Sequence, residues 1–161
     1  MKRARFLFFV VVLLLQAVCV FARNENAKVI SINHSDFISK IYPKMKRPLI
    51  ILFGSNYCKY SRNQMKLLNQ IVKETDYYKY VDFYSVNADS DENYEWLKKI
   101  YEDEELPALG TPTWIFYYGT KGDDDDIELA EIANFSFEQL CENIEDLIDW
   151  FETAVGYPKE E

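Results

Sequence analysis

The chain has 161 residues and is acidic, with 27 Asp and Glu against 18 Lys and Arg and a formal net charge of -9. That balance argues against nucleic acid or an anionic membrane surface as a partner. With three cysteines and a single histidine, His34, the composition also excludes a disulfide-stapled scaffold and a histidine-based metal cluster.

The chain begins with a targeting segment. Lys2, Arg3 and Arg5 precede an apolar run from Phe6 to Val20, interrupted by Gln16, and Val20-Phe21-Ala22 suits a cut after Ala22. This is the pattern of a secretory signal peptide over residues 1–22. The run also approaches the length of a bilayer span, so an uncleaved membrane anchor over residues 6–22 is the rival reading. Gln16-Ala17-Val18 ahead of Cys19 does not resemble a lipid-attachment box. Residues 23–161 are then one domain of ordinary size, more acidic still once Lys2, Arg3 and Arg5 are gone. Only Cys58 and Cys141 remain in it. Export of so few thiols to an oxidising compartment suggests redox chemistry rather than stapling.

Within this domain, Lys28 to Ile32 alternates and is β-branched, which predicts a short strand. Ser35 is a candidate cap for a helix with Phe37, Ile38 and Ile41 on its apolar face, ended by Pro43. Lys44 to Arg47 is a basic connector. Leu49 to Phe53 is continuously apolar and reads as a buried strand. Gly54, Ser55 and Asn56 break it, and an amphipathic helix over Lys59–Glu74 follows, with Met65, Leu67, Leu68, Ile71 and Val72 inward. Val81 to Asn87 is a third strand. Asp89-Ser90-Asp91-Glu92 is a turn and helix start, leading to a short helix over Tyr94–Tyr101 that uses Trp96, Leu97 and Ile100. After a loop over Leu106–Gly110, Thr113 to Tyr118 and Ile127 to Ile132 form a hairpin around a turn at Gly119–Asp126. Ser136-Phe137-Glu138-Gln139 has capping-box spacing. The last helix buries Leu140, Ile144, Leu147, Ile148 and Phe151 and stops at Gly156 and Pro158. The order βαβαβαββα predicts an α/β domain whose mixed central sheet carries helices on both faces.

The chemistry concentrates where the Leu49–Phe53 strand delivers Cys58 to the start of a helix. Unpaired N–H groups of a first turn and the positive end of the helix dipole favour a thiolate there, and Lys59 adds a positive charge nearby.

This order and two marks in it resemble the thioredoxin fold, over about residues 27 to 155. Leu49-Ile50-Ile51-Leu52-Phe53 followed by Tyr57-Cys58-Lys59-Tyr60-Ser61 resembles that family's strand and its Cys-x-x-Cys helix start. Thr111-Pro112-Thr113 ahead of Trp114-Ile115-Phe116-Tyr117 resembles its cis-proline loop and the strand after it. Asn87-Ala88-Asp89 resembles the end of its middle strand. The resemblance implies that Cys58 is the attacking thiol, that Pro112 is cis and shapes a groove beside it, and that Thr111 offers backbone hydrogen bonds to a partner chain. It also implies that Tyr57 and Tyr60, together with Trp114, form an apolar rim for a client.

Three positions depart from the pattern. Ser61 stands in place of the second cysteine, Tyr57 in place of the tryptophan before the first, and Leu52 in place of a buried acid on the preceding strand. A thiolate can attack a disulfide to form a mixed disulfide, but a hydroxyl at Ser61 cannot resolve it. Ser61 can instead donate a hydrogen bond to the thiolate. Release then needs an outside thiol such as glutathione or the client's own second cysteine, unless Cys141 reaches Cys58. Cys141 reads as a core residue of the last helix.

The resulting expectation is an exported monothiol thiol–disulfide oxidoreductase or isomerase acting on client proteins with thiols or disulfides. Cys58 and Ser61 are the catalytic residues, Tyr57, Tyr60, Thr111 and Pro112 bind substrate, and no cofactor or metal is involved. The alternative is a weak or inactive binding or chaperone module that holds client polypeptides in the cis-proline groove. A core role for Cys58 in a degenerate fold is the bland reading of that residue. Secretion, a bacterial periplasm and a secretory-pathway lumen all remain open; the C-terminal residues 157–161 are not the common retention signal of the endoplasmic reticulum. Asp123–Asp126 reads as a solvated turn, and Asp89–Asn93 lacks the glycine a calcium loop needs, having Tyr94 in its place. Tyr77, Tyr78, Tyr80 and Tyr84 read as packing residues. Asn33-His34-Ser35 and Asn134-Phe135-Ser136 are glycosylation sequons wherever the host has the machinery.

Overall fold

The computed structural model of the chain describes residues 28–103, 110–117 and 128–155. The signal peptide and its cut, Cys19, the loop from Leu106 up to Gly110, the Gly119–Asp126 turn and the stop at Gly156 and Pro158 lie outside the described residues.

Strand β1 (Ile30–Ile32) leads into a helical segment that starts as α1 (His34–Asp36), widens into a π-helical turn (Phe37–Ile41) and tightens into a 3-10 turn (Tyr42–Lys44). Strand β2 (Leu49–Gly54), helix α2 (Lys59–Glu74) and a 3-10 turn (Tyr77–Lys79) follow, then β3 (Asp82–Asn87), α3 (Asp91–Asp103), β4 (Thr113–Tyr117), β5 (Glu128–Glu131) and α4 (Phe137–Val155). The strands form one sheet in the order β1-β3-β2-β4-β5. The β1–β3 and β2–β3 pairs are parallel, and β4 runs antiparallel to both β2 and β5. This is the mixed sheet the element order predicts, because helical crossovers join the early parallel strands while the late strands pair antiparallel.

β2 lies at the centre, with Leu49–Gly54 all buried. Its side chains alternate between two cores. Leu49, Ile51 and Phe53 meet Phe37, Trp96, Leu97, Ile100 and Tyr101 on the α1/α3 face. Ile50 and Leu52 meet Leu68, Ile71, Val72, Leu140, Ile144 and Leu147 on the α2/α4 face. Each such fully buried aliphatic side chain is worth about 1.5–3 kcal/mol. Double-sided burial is why β2 reads as a continuous apolar run rather than an alternating one.

The helix starts show what short polar side chains do locally. The expected capping box of the last helix forms: Gln139 N donates to Ser136 Oγ at 3.3 Å and Ser136 N to Gln139 Oε1 at 2.9 Å. At α1 the expected cap, Ser35, is displaced by Asn33, whose Oδ1 accepts from Asp36 N at 2.8 Å. Ser35 instead reaches across to α3, where its N–H and Oγ both donate to Glu92 Oε1, at 2.9 and 2.6 Å. Those two bonds hold the Glu92 carboxyl below its usual range. The π-helical turn changes which side chains point inward. Phe37 is buried and Ile41 packs against the core, while Ile38, expected on the apolar face, is exposed. Tyr77, Tyr78 and Tyr84 are half-buried as packing residues, but Tyr80 is exposed. Helix α3 runs longer than Tyr94–Tyr101 in both directions; at its start Asp91 and Glu92 sit favourably at the positive end of its dipole.

Candidate active site

The β2–α2 connection presents Cys58. Its residues are held before the helix begins: Cys58 N donates to Ser55 O at 3.2 Å, Tyr57 N to Ser55 Oγ at 3.2 Å, and Asn56 N to Asp89 Oδ2 at 2.9 Å. Arg62, one turn into α2, reaches back to Asn56 O at 2.6 Å. Asp89 at the end of β3 and Arg62 therefore fix the loop from both sides. Cys58 is the N-cap residue of α2, with φ -89° and ψ 121°, and its side chain makes no capping bond. Its sulfur is left free to act outward while the amides of the first turn point towards it.

The thiol is half-buried and donates to Thr111 O at 3.4 Å. The peptide between Thr111 and Pro112 is cis. The Cys58 pKa is lowered from the ordinary thiol value. The Ser61 backbone N–H is the first cause and the Ser61 hydroxyl the second; burial opposes them, and the Tyr60 N–H and Thr111 add to the lowering. The shift arises from dipoles aimed at the sulfur. Thr111 acts on both protonation states, since its carbonyl accepts from the thiol while its side chain favours the thiolate.

Ser61 is buried, 2% exposed, and among the described residues its Oγ has no hydrogen-bond partner. The same hydroxyl stands among the groups that favour the thiolate. The two observations belong to two protonation states. While Cys58 is protonated it donates to Thr111, and Ser61 Oγ is idle; once the sulfur is ionised it becomes an acceptor that a rotating hydroxyl can serve. Ser61 packs closely on the end of β2, where a Cβ added to Gly54 would lie 3.4 Å from Ser61 Cβ.

Tyr57 and Tyr60 flank the cysteine and are 89% and 61% exposed. Trp114, expected in the same rim, is instead in the core. It is 0% exposed, and its Nε1 donates to Ala133 O at 3.2 Å. β4 directs it to the α2/α4 face beside Leu52, its register partner on β2. Leu52 is itself fully buried, so the core beneath α2 carries an aliphatic group where the family pattern has an acid.

Cys141 and Cys58 are both free thiols. Cys141 lies on α4 beside Tyr77, which follows the C-terminal end of α2, while Cys58 stands at the N-terminal end. A disulfide needs Cα atoms within about 7 Å; in this structure both thiols are free and Cys141 is engaged with Tyr77, not with Cys58. Burial pushes the Cys141 thiol up; the Tyr77 hydrogen bond works against that, and Glu145, Glu138 and Glu142 reinforce it. Burial also raises Tyr77, whose hydroxyl bonds to Glu145.

Two anchors escaped the sequence. Tyr101, at the end of α3, accepts from Gly110 N at 3.1 Å and lies 3.0 Å from Gly110 O and 2.8 Å from Thr113 Oγ1. Thr113 Oγ1 also donates to Gly110 O at 2.7 Å. These bonds clamp both ends of the segment that sets Thr111 against the sulfur. On the other side, Gln64 of α2 donates to Phe135 O and accepts from Phe135 N, each at 3.0 Å. Helical periodicity makes Tyr101 a packing residue and Gln64 a surface one. Their partners lie 9 and 71 residues away, where no local pattern reveals them.

No known family's sequence model matches the chain, and no curated protein matches it. Solved structures do. Chloroplastic thioredoxin z is 18% identical with a TM-score of 0.54, over 74% of this chain and 94% of that one. Thioredoxin f from spinach chloroplast, in its short form, is 16% identical with a TM-score of 0.53, over 75% and 94%. The thioredoxin of Malassezia sympodialis is 17% identical with a TM-score of 0.53, over 75% and 91%. The chain has the thioredoxin fold.

Proposed function

We propose that this chain is an exported monothiol thiol–disulfide oxidoreductase or isomerase acting on protein disulfides. The observation that carries the reading is the setting of Cys58. A half-buried cysteine at the N-cap of a 16-residue helix has its pKa lowered by first-turn N–H groups and lies 3.4 Å from the carbonyl of Thr111, ahead of cis-Pro112. In the proposed cycle the Cys58 thiolate attacks one sulfur of a client disulfide. A Cys58–client S–S bond forms, the client S–S bond breaks, and the departing client thiolate takes up a proton. The new disulfide is released when a second thiolate attacks it. Ser61 cannot supply one and Cys141 is engaged with Tyr77 rather than Cys58, so it comes from the client itself, giving isomerisation, or from a small thiol such as glutathione. Tyr57 and Tyr60 are proposed to contact the client beside the sulfur, and the backbone of Thr111 to pair with it. Export rests on the leader pattern of residues 1–22.

The test is reactivation of a scrambled, disulfide-bonded protein in glutathione buffer. The wild type accelerates it and Cys58→Ser does not. Failure of the wild type to accelerate it overturns the reading for protein disulfides. The exposure of Tyr57 and Tyr60 favours one second reading, a client-binding module with Cys58 as a tether. Client binding that survives Cys58→Ser without any turnover by the wild type selects it.

A further inference from the structure

The two Asn-x-Ser triplets are put to different use by the fold. Asn33 is half-buried, and its Oδ1 caps α1 by accepting from Asp36 N. The next residue is also held, with His34 N donating to Asn93 Oδ1 at 3.1 Å and the His34 ring 5.0 Å from that of Trp96. The Asn33 side chain is thus committed to the cap of a segment that His34 ties to α3. Asn134 is exposed, and among the described residues its side chain has no hydrogen-bond partner. Its neighbours are pinned instead: Ala133 O accepts from Trp114 Nε1, Phe135 is held through both backbone groups by Gln64, and the Phe135 ring lies 5.7 Å from Trp114 and 6.2 Å from Phe116. The loop is therefore fixed by its flanks and leaves the Asn134 amide to solvent.

We propose that Asn134 is an N-linked glycosylation site and the one sequon whose glycan the folded domain accommodates. The inference rests on the export reading above, in a lumen that holds the transferase. The donor is a lipid-linked oligosaccharide pyrophosphate. Asn134 Nδ2 bonds to C1 of its first sugar, the C1–O bond to pyrophosphate breaks, and the lipid pyrophosphate leaves with the electron pair. The amide proton passes to a base of the transferase, and nothing is oxidised or reduced. The sequon hydroxyl, Ser136 Oγ, is the same atom that caps α4 by accepting from Gln139 N. Transfer to Asn134 therefore precedes closure of that capping box, and the box closes afterwards without disturbing the glycan.

The test expresses the full chain in cultured eukaryotic cells, once behind its own first 22 residues and once behind a standard cleavable leader. Secreted protein is digested with peptide N-glycosidase in heavy-oxygen water and mapped by mass spectrometry. With the standard leader, a one-glycan mobility shift is expected, with Asn134 converted to labelled Asp. Asn134→Gln removes the shift entirely, and Asn33→Asp, which keeps the cap, leaves it unchanged. Secreted protein with Asn134 unmodified overturns the proposal, as does a shift that persists in Asn134→Gln. If only the standard leader yields glycosylated protein, the export reading fails while the Asn134 site stands.

Discussion

Ser61→Ala separates the chemical role of the hydroxyl from its structural cost. In the resting protein Ser61 Oγ is buried without a partner, and an unsatisfied buried polar group costs about 1–3 kcal/mol. Alanine removes that cost and keeps the Cβ that packs on Gly54. It also gains about 0.5 kcal/mol of helix propensity, offset by the small void left by the oxygen. The net expectation, at a pH below the Cys58 pKa, is a stabilisation of about 1–2 kcal/mol, a rise of roughly 3–6 °C in Tm. The thiolate loses its second-ranked stabiliser while the first, the Ser61 N–H, remains. A hydrogen bond to a charged group is worth about 1.5–3 kcal/mol, less at a half-exposed sulfur. A loss of about 1 kcal/mol makes the thiolate fraction below the pKa roughly fivefold smaller. A thiol whose folded pKa is depressed contributes stability that is present above the unfolded pKa and lost as pH falls through the folded one. Wild-type Tm therefore gains as pH rises through the thiol range, and the variant gains less. Thermal melts at several pH values, paired with the pH dependence of alkylation at Cys58, measure both effects. A variant less stable than the wild type at the acid end of that series, where alkylation shows the thiol protonated, or one whose alkylation profile is unmoved, refutes the reasoning.

At neutral pH iodoacetamide labels Cys58 first, since first-turn donors favour its thiolate while burial disfavours that of Cys141; mass spectrometry showing the reverse order contradicts the assignment. Ser61→Cys supplies an internal resolving thiol, so mixed disulfides that accumulate with the wild type at limiting glutathione fall to trace levels, as read on non-reducing gels; equal accumulation in both proteins counts against a monothiol cycle. Tyr101→Phe deprives Gly110 N and Thr113 Oγ1 of their shared partner, and should cost about 1–3 kcal/mol in urea unfolding and slow client reactivation through a looser Thr111 segment. A variant as stable and active as the wild type shows that the clamp is dispensable.

The strands and helices were legible because their burial is regular. β2 is buried on both faces, so Leu49–Phe53 is apolar throughout; α2 is buried on one, so Leu68, Ile71 and Val72 recur at helical spacing. Capping depends on competition between neighbours, which is why Asn33 rather than Ser35 holds α1 once Glu92 engages Ser35 from α3. Trp114 shows the same limit, because a strand's alternation does not say which face looks towards the cysteine. Only the β2–β4 register, pairing Trp114 with Leu52, assigns it to the core.

By itself the sequence determined the order of elements, the position of Cys58 at the start of a helix, and the absence of a second thiol three residues on. These are local facts, set by periodicity and by residue type at a fixed offset. The tertiary structure decided which groups meet the sulfur and which do not. It brought Thr111 to 3.4 Å from Cys58, set Cys141 beside Tyr77 instead, and tied the Gly110–Thr113 segment to Tyr101. Such contacts join residues distant in the chain, and the packing of helices on a sheet fixes them together, so no stretch of sequence read alone contains them.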